Sequence, residues 1–168
     1  MWSTKHHAPT VRRARWGKAL RTRCRPTSDS RLGVISTSER GYFFHVGDGV
    51  GIVSSSDKAQ PEVISTPENG EYANETYFVS GAEWSEHLHI TPIASPVGEI
   101  ALMSDGAMPF VMAKGGASLY RPFMAPVVQY LESVSEADGS RALAGTLEDT
   151  RTYQITGDDK TLLIALWR

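Results

Sequence analysis

The chain has 168 residues, of which 40% are hydrophobic and 21% charged, which is enough for one domain with a buried core. No apolar run approaches the roughly 18 residues of a membrane-spanning helix, and no continuous apolar signal segment begins the chain. These features exclude a helical membrane protein. Cys24 is the only cysteine, so an internal disulfide is excluded and a reducing, cytoplasmic compartment is expected.

Charge is distributed unevenly along the chain. Residues 1–31 contain nine of the 17 Lys and Arg and one acid, whereas residues 32–168 contain eight basic and 18 acidic residues. This contrast predicts a basic leader over 1–31 and a folded domain over 32–168. Three interpretations of the leader are open: a nucleic-acid-binding arm, an Arg-rich transit peptide, or a segment outside the conserved fold. The last is favoured, because runs of charge are usually solvated.

The first half of the predicted domain has the period-two hydrophobic pattern and turn residues of short β-strands. Asp48 lies in Gly47-Asp48-Gly49, an Asp-Gly signal that predicts a hairpin within a three-stranded meander. Asp48 also suits such a turn without any chemical role, because Asp and Gly tolerate positive φ. Strands are predicted at Leu32–Ser36, Tyr42–Val46, Val50–Ser54, Val63–Ser65, Thr76–Ser80 and His87–Ile90.

The last of these strands places His87 and His89 on one face, with a spacing that two metal ligands could use. Leu88 and Ile90 would then face the core on the opposite side. Because this alternation alone explains the pattern, two solvated histidines are the favoured interpretation.

Two apolar strands with acids at their ends suggest a site. Glu99–Met103 predicts a buried strand followed by Asp105, and Asp158 precedes a second apolar run at Thr161–Trp167. If the two strands are antiparallel neighbours, Asp105 and Asp158 meet at one edge of the sheet. Converging carboxylates repel unless a proton or a cation lies between them, so a hard divalent cation is predicted.

Between these two strands the hydrophobic period changes from two to that of a helix. Apolar stripes at helical spacing need a sheet to cover. The predicted fold class is therefore α+β, with antiparallel sheets and a helical block between the last two strands. The helices are predicted over 107–113, from Pro126 onward, and from a cap at Asp138 or Ser140 to Asp149.

Three acidic motifs occur in a fixed order: Gly47-Asp48-Gly49, Ser104-Asp105-Gly106 and Asp158-Asp159-Lys160-Thr161. Their order and context resemble the metal-dependent serine/threonine protein phosphatases of type 2C, over roughly residues 32–168. The stretches Phe44-His45-Val46-Gly47-Asp48 and Gly70-Glu71-Tyr72-Ala73-Asn74-Glu75-Thr76 are similar to a bacterial branch of that family.

The resemblance implies part of an α/β/β/α sandwich that binds two magnesium or manganese ions and hydrolyses phosphate monoesters with a metal-activated water. It implies that Asp105 and Asp158 are metal ligands, that Asp159 replaces a usual Asn, and that Asp48 lies near the metals. The implied substrate is a phosphorylated Ser/Thr protein or a small phosphate ester, and no covalent phosphoenzyme is expected.

The sequence departs from the family in its N-terminal half. That half supplies an Asp-Gly pair that bridges both metals, an upstream acid and a phosphate-binding Arg, none of which is recognisable here. Before Glu39 the only acid is Asp29. Residues 32–168 are therefore expected to be the C-terminal portion of the domain, with weakened metal binding and exposed apolar sheet edges that favour oligomers.

Three functions follow from the sequence. The first is a phosphatase that is either active or inactive as this truncated chain. The second is a non-catalytic binding or regulatory module that keeps the fold but not the metals. The third is a nucleic-acid binder acting through the basic leader, and it ranks last because no aromatic platform or recognised motif accompanies the charge.

Overall fold

The computed structural model describes residues 30–37, 40–57, 59–66, 76–93 and 96–167. Residues 1–29 of the predicted leader and 70–75 of the bacterial-branch motif lie outside this part, so the leader boundary stays a prediction. The described elements are β1 (Arg31–Ser36), β2 (Gly41–Val46), β3 (Val50–Ser55), β4 (Val63–Ser65), β5 (His89–Ile93), β6 (Val97–Met103), α1 (Met108–Val111), α2 (Arg121–Ser133), α3 (Glu136–Leu147) and β7 (Leu162–Leu166).

The strands form two antiparallel sheets, one in the order β1-β2-β5 and the other in the order β4-β3-β6-β7. The predicted three-stranded meander is therefore wrong, because β2 and β3 belong to different sheets. Gly47, with a φ of 122°, lies in the connection between them. Asp48 does not need the positive φ that the sequence allowed, since no described residue other than glycine has one.

The second sheet is buried on both faces, which explains why its strands are nearly continuous in apolar residues. On one face Val50 and Ile52 pack with residues of the helical block. On the other face Val53 and Ile100 pack against Phe43 of the first sheet. Each such side chain contributes roughly 1.5–3 kcal/mol by leaving water. The predicted α+β class, with helices between the last two strands, is confirmed.

The helix predicted over 107–113 is present in a shorter form. A 3₁₀ turn at Asp105–Ala107 leads into α1, with Pro109 in the first turn, where no backbone partner is lost. The chain after α1 passes through Gly115 and Gly116, whose φ values are 90° and 70°. Backbone of this kind favours glycine, so the sequence signal for the end of the helix is correct.

The start predicted for the second helix is wrong, because α2 begins at Arg121 and Pro126 lies inside it. Pro122 is in the first turn, where proline is well tolerated. Fully buried Met124 belongs to the core between α2 and the second sheet, so packing compensates for the backbone donor that Pro126 lacks. None of the described helices is long and apolar enough to cross a membrane.

The start predicted for α3, at Asp138 or Ser140, is also wrong. Ser135 is the N-cap, and its Oγ accepts a hydrogen bond from the Asp138 N–H at 3.2 Å. A serine before an acidic first turn is a strong helix start because it satisfies an otherwise unpaired backbone donor. The helix ends at Leu147 rather than at Asp149.

Two predictions between β4 and β6 are wrong. The stretch Thr76–Ser80 is coil and turn apart from one bridge residue at Thr76. β5 begins at His89, so His87 is not on the strand and does not share a strand face with His89. Instead the His87 ring stacks on Tyr77, with ring centroids 3.4 Å apart and planes 8° from parallel.

Candidate metal centre

The end of β6 and the start of β7 form one edge of the second sheet. The two strands are antiparallel neighbours, and their register pairs Met103 with Leu162. Asp105 follows β6 and Asp158 precedes β7. The predicted strand pairing is therefore confirmed, and it brings the segments that carry these two acids together.

Gly106 packs directly against the second of these segments. A Cβ atom at Gly106 would lie 2.5 Å from the Asp159 carbonyl oxygen and 3.1 Å from the Asp158 Cβ atom. Any larger residue would therefore push the two segments apart. The Ser-Asp-Gly sequence supplies the one residue type that permits this close approach.

Ser104 joins the same two segments by three hydrogen bonds. Its Oγ donates to the Asp159 carbonyl oxygen and accepts from the Thr161 N–H, both at 3.0 Å. Its own N–H donates to the Thr161 carbonyl oxygen at 3.0 Å. The backbone and the hydroxyl of Ser104 thus continue the β6–β7 pairing by one more residue.

Both acids at this edge are exposed, and each has one carboxylate oxygen in a local hydrogen bond. Asp105 Oδ1 accepts from the Gly106 N–H at 2.7 Å. Asp158 Oδ2 accepts from the Thr156 hydroxyl at 2.9 Å, and the same hydroxyl accepts from the Asp158 N–H at 3.1 Å. These hydrogen bonds stabilise the local backbone that carries the Asp105 and Asp158 carboxylates.

Lys160 adds a cation next to these acids. Its Nζ donates to the Asp158 carbonyl oxygen at 3.2 Å and lies 4.1 Å from the centroid of the Tyr153 ring. A cation over an aromatic face is attracted by the ring quadrupole. The lysine therefore supports the loop backbone around Asp158.

Asp48 lies on the connection from the first sheet to β3. It is half-buried, and its two carboxylate oxygens accept from the hydroxyls of Ser30 at 3.1 Å and Thr76 at 3.5 Å. A Cβ atom at Gly49 would be 2.8 Å from the Met103 carbonyl oxygen. The Asp48 loop therefore contacts the end of β6, next to Asp105 in sequence.

The donor chemistry of this edge suits a hard cation, because carboxylate and carbonyl oxygens are the ligands that Mg²⁺ and Mn²⁺ prefer. The close contact at Gly106 brings the two acidic segments within reach of one another. Among the residues that the structure describes, however, no group of three or more His, Cys, Asp or Glu has the arrangement of a metal site. The described residues thus bring two acidic segments together and do not by themselves complete a metal site.

Sequence reasoning assigned no role to Ser104 or Thr156. Thr156 lies two residues before Asp158, a spacing typical of a side-chain-to-backbone turn, so this contact has a local signal. The hydroxyl of Ser104 bonds to a residue 55 positions away. No local pattern could identify that partner.

His45, on β2 three residues before Asp48, is buried and faces Ser65 of β4. Burial is the main reason that its pKa is lowered, and the charge of His89 adds to the effect, while Asp48 opposes it. Nδ1 lies 3.2 Å from the Ser65 hydroxyl, and Nε2 is buried without a hydrogen-bond partner. Burial therefore favours the neutral imidazole over the imidazolium.

Comparison with known proteins assigns the chain to a family. A family model described as protein phosphatase 2C matches residues 21–148. The chain belongs to the protein phosphatase 2C family. It is 27% identical over 139 residues to serine/threonine-protein phosphatase 3 of Escherichia coli strain K12, with 81% of this chain and 54% of that protein covered.

A solved structure is also similar to this member of the family. It is a crystal structure of a bacterial serine phosphatase that bears a point mutation, with 13% sequence identity and a TM-score of 0.47. The match covers 83% of this chain and 53% of the other. This chain thus spans about half the length of the relatives it matches.

Proposed function

We propose that this chain is a metal-dependent phosphatase domain that hydrolyses phosphate monoesters, with phosphorylated serine or threonine in proteins as the substrate class. The observation that carries the proposal is the edge where β6 and β7 bring the Asp105 and Asp158 segments together. Family membership supports the reaction class. The serine/threonine-protein phosphatase similarity over 81% of this chain supports the substrate class.

In this proposal Asp105 and Asp158 hold a divalent cation through their carboxylate oxygens, and Asp48 stands near it. A bound Mg²⁺ or Mn²⁺ would supply a more acidic water and neutralise charge on the phosphate. Ser104 and Thr156 hold the two acidic loops, and Gly106 lets their backbones approach. The exposed position of both acids leaves the edge open to a phosphate group.

Manganese-dependent hydrolysis of para-nitrophenyl phosphate tests this proposal. We expect turnover at millimolar manganese that is lost in Asp105→Asn, because the amide keeps the shape but removes the charge that binds the cation. Asp57→Asn is the matched control. Asp57 lies in the turn after β3, at the other end of that strand from Asp48, and its Oδ1 accepts a hydrogen bond from the Ala59 N–H that an amide oxygen can also accept. It should therefore retain the wild-type rate.

A second function is favoured by one observation, the absence of a complete metal-ligand group within the described residues. It is a non-catalytic phosphatase-like module that binds or regulates a partner. Calorimetry separates the two functions. A cooperative thermal transition with no heat of manganese binding and no hydrolysis would favour the module and contradict the metal-dependent phosphatase.

A further inference from the structure

We infer that Ser104 is a positioning residue that sets the separation of Asp105 and Asp158. The inference rests on the proposed function, since it concerns the same metal-binding edge. Its basis is that Ser104 directly precedes Asp105 and makes hydrogen bonds to Asp159 and Thr161, which are one and three residues after Asp158.

The hydroxyl is used across the sheet rather than locally. Ser104 occupies the N-cap position of the 3₁₀ turn at Asp105–Ala107, where a serine side chain commonly satisfies a free backbone N–H. In this structure the side chain makes no capping hydrogen bond. It bonds instead to the Asp159 carbonyl oxygen and the Thr161 N–H.

Those two backbone groups need such a partner because the β6–β7 ladder stops there. Beyond the pair Met103 and Leu162, β6 turns into the 3₁₀ segment, so the regular ladder of strand pairs ends. Backbone groups near the end of a ladder bond to water or to side chains. One hydroxyl here satisfies a donor and an acceptor at once, so it links both acidic loops at a single atom.

Gly106, on the other side of Asp105 from Ser104, allows the two acidic segments to approach closely. A Cβ atom added at Gly106 would lie too close to Asp158 and Asp159, so there is no room for a side chain. Ser104 thus draws the two segments together while Gly106 permits their closest approach. Asp105 lies between these two constraints, which restricts where its backbone can go relative to Asp158.

The test compares Ser104→Ala with Ser104→Thr in the full chain. Alanine removes both hydroxyl bonds, and threonine keeps a hydroxyl that can make them. Ser133→Ala is the matched control, because Ser133 Oγ donates only to the nearby Tyr130 carbonyl at the end of α2. If Ser104→Ala does not fold, Ser104→Cys replaces it, since a thiol is a weak donor and acceptor.

The first readout needs no metal. Amide hydrogen exchange should be faster at the Thr161 N–H in Ser104→Ala than in the wild type, and unchanged in Ser104→Thr and Ser133→Ala, because protection follows from the bond to Ser104.

The second readout is manganese affinity by calorimetry. Loss of an outer-shell partner typically weakens metal binding about 10–100-fold. We expect a loss of that size in Ser104→Ala and recovery in Ser104→Thr.

Two failures are distinguishable. If the wild-type chain binds no manganese, the proposed metal edge is wrong, and the positioning role is wrong with it. If the wild type binds manganese and Ser104→Ala binds it equally well, the proposed function stands and the positioning role of Ser104 is overturned. Equal losses in Ser104→Ala and Ser133→Ala would also overturn it.

Discussion

His45 is the one titratable side chain that is almost fully buried in the described part of the chain, at 2% exposure. It faces Ser65 of β4, and the charged groups that act on its pKa are His89 on β5 and Asp48 after β2. Its pKa is lowered mainly because burial disfavours the imidazolium, and also because of His89. The folded state therefore binds a proton at His45 less readily than the unfolded chain does.

A group with a lowered folded-state pKa stabilises the fold above its unfolded pKa, and that stability is lost as the pH falls. For His45 the loss should begin near pH 6.5, the ordinary value for histidine. One proton accounts for a slope of at most about 1.4 kcal/mol per pH unit. Urea unfolding between about pH 7.5 and 5.5 measures it.

The matched variant is His45→Gln, whose amide can still bond to Ser65 but does not titrate. We expect a flatter dependence of unfolding free energy on pH than in the wild type. His87→Gln, which removes a half-buried imidazole stacked on Tyr77, should keep the His45 slope. An equal slope in His45→Gln and the wild type would contradict the assignment.

Arg121, the first residue of α2, attaches that helix to the second sheet. Its guanidinium forms ion pairs with Glu62 before β4 and with Glu99 on β6, and it donates to the Ser54 hydroxyl at 3.0 Å. The Glu62 and Glu99 side chains are only 16% and 12% exposed. The arginine is therefore the counter-charge for two carboxylates that are largely removed from water.

Arg121→Ala should destabilise the fold because it leaves both carboxylates without that counter-charge. Hydrogen bonds to charged groups contribute about 1.5–3 kcal/mol, and partial exposure places the expected loss between about 1 and 3 kcal/mol. Arg141→Ala is the control, since Arg141 pairs with Asp138 on the exposed face of α3 and its removal should have little effect. Equal losses in the two variants, measured by urea unfolding, would show that Arg121 does not anchor the helix.

The elements that sequence predicts well are those whose signals are local. The presence of strand β6 and of the helices after it was predicted from the spacing of apolar residues. Pro109 lies in the first turn of α1, and Gly115 and Gly116 follow its end, as expected. The assignment of β2 and β3 to different sheets could not be predicted in this way. The Gly47-Asp48-Gly49 signal reports how tightly the chain turns, whereas the sheet that β3 joins depends on packing against β6.

In the candidate site, too, the features with a local sequence signal could be predicted and the contacts between distant positions could not. The acids Asp105 and Asp158 are visible because each adjoins an apolar strand. The antiparallel pairing of those strands was a condition of the sequence argument, and the structure supplies it. The part played by Ser104 and the pairing of Arg121 with Glu62 depend on contacts between distant positions. They were therefore outside the reach of a single sequence.

The first sheet has one face without a covering layer among the described residues. Ile35 on β1, Tyr42 and Phe44 on β2, and Ile90 on β5 lie on that face, at 67%, 47%, 37% and 61% exposure. The register pairs Ile35 with Tyr42 and Phe44 with Ile90, so these side chains form a continuous patch. The sequence predicted exposed apolar edges, and the structure shows an exposed apolar face.

A contiguous apolar patch of this kind favours association. Sedimentation velocity should show that the fraction of self-associated chain rises with concentration. A double change, Ile35→Thr and Ile90→Thr, should reduce that fraction because it keeps β-propensity and removes apolar area. Tyr153→Ser, which removes an exposed ring elsewhere, is the control. A monomer at all concentrations would contradict this prediction.

We propose above that the edge shared by β6 and β7 binds a divalent cation. The most direct measurement is an NMR titration of the full chain with paramagnetic manganese. We predict that amide signals of Ser104–Gly106 and Asp158–Thr161 broaden at the lowest manganese concentrations, and that Asp105→Asn abolishes this selectivity. Uniform broadening, or selective broadening that survives in Asp105→Asn, would contradict the claim.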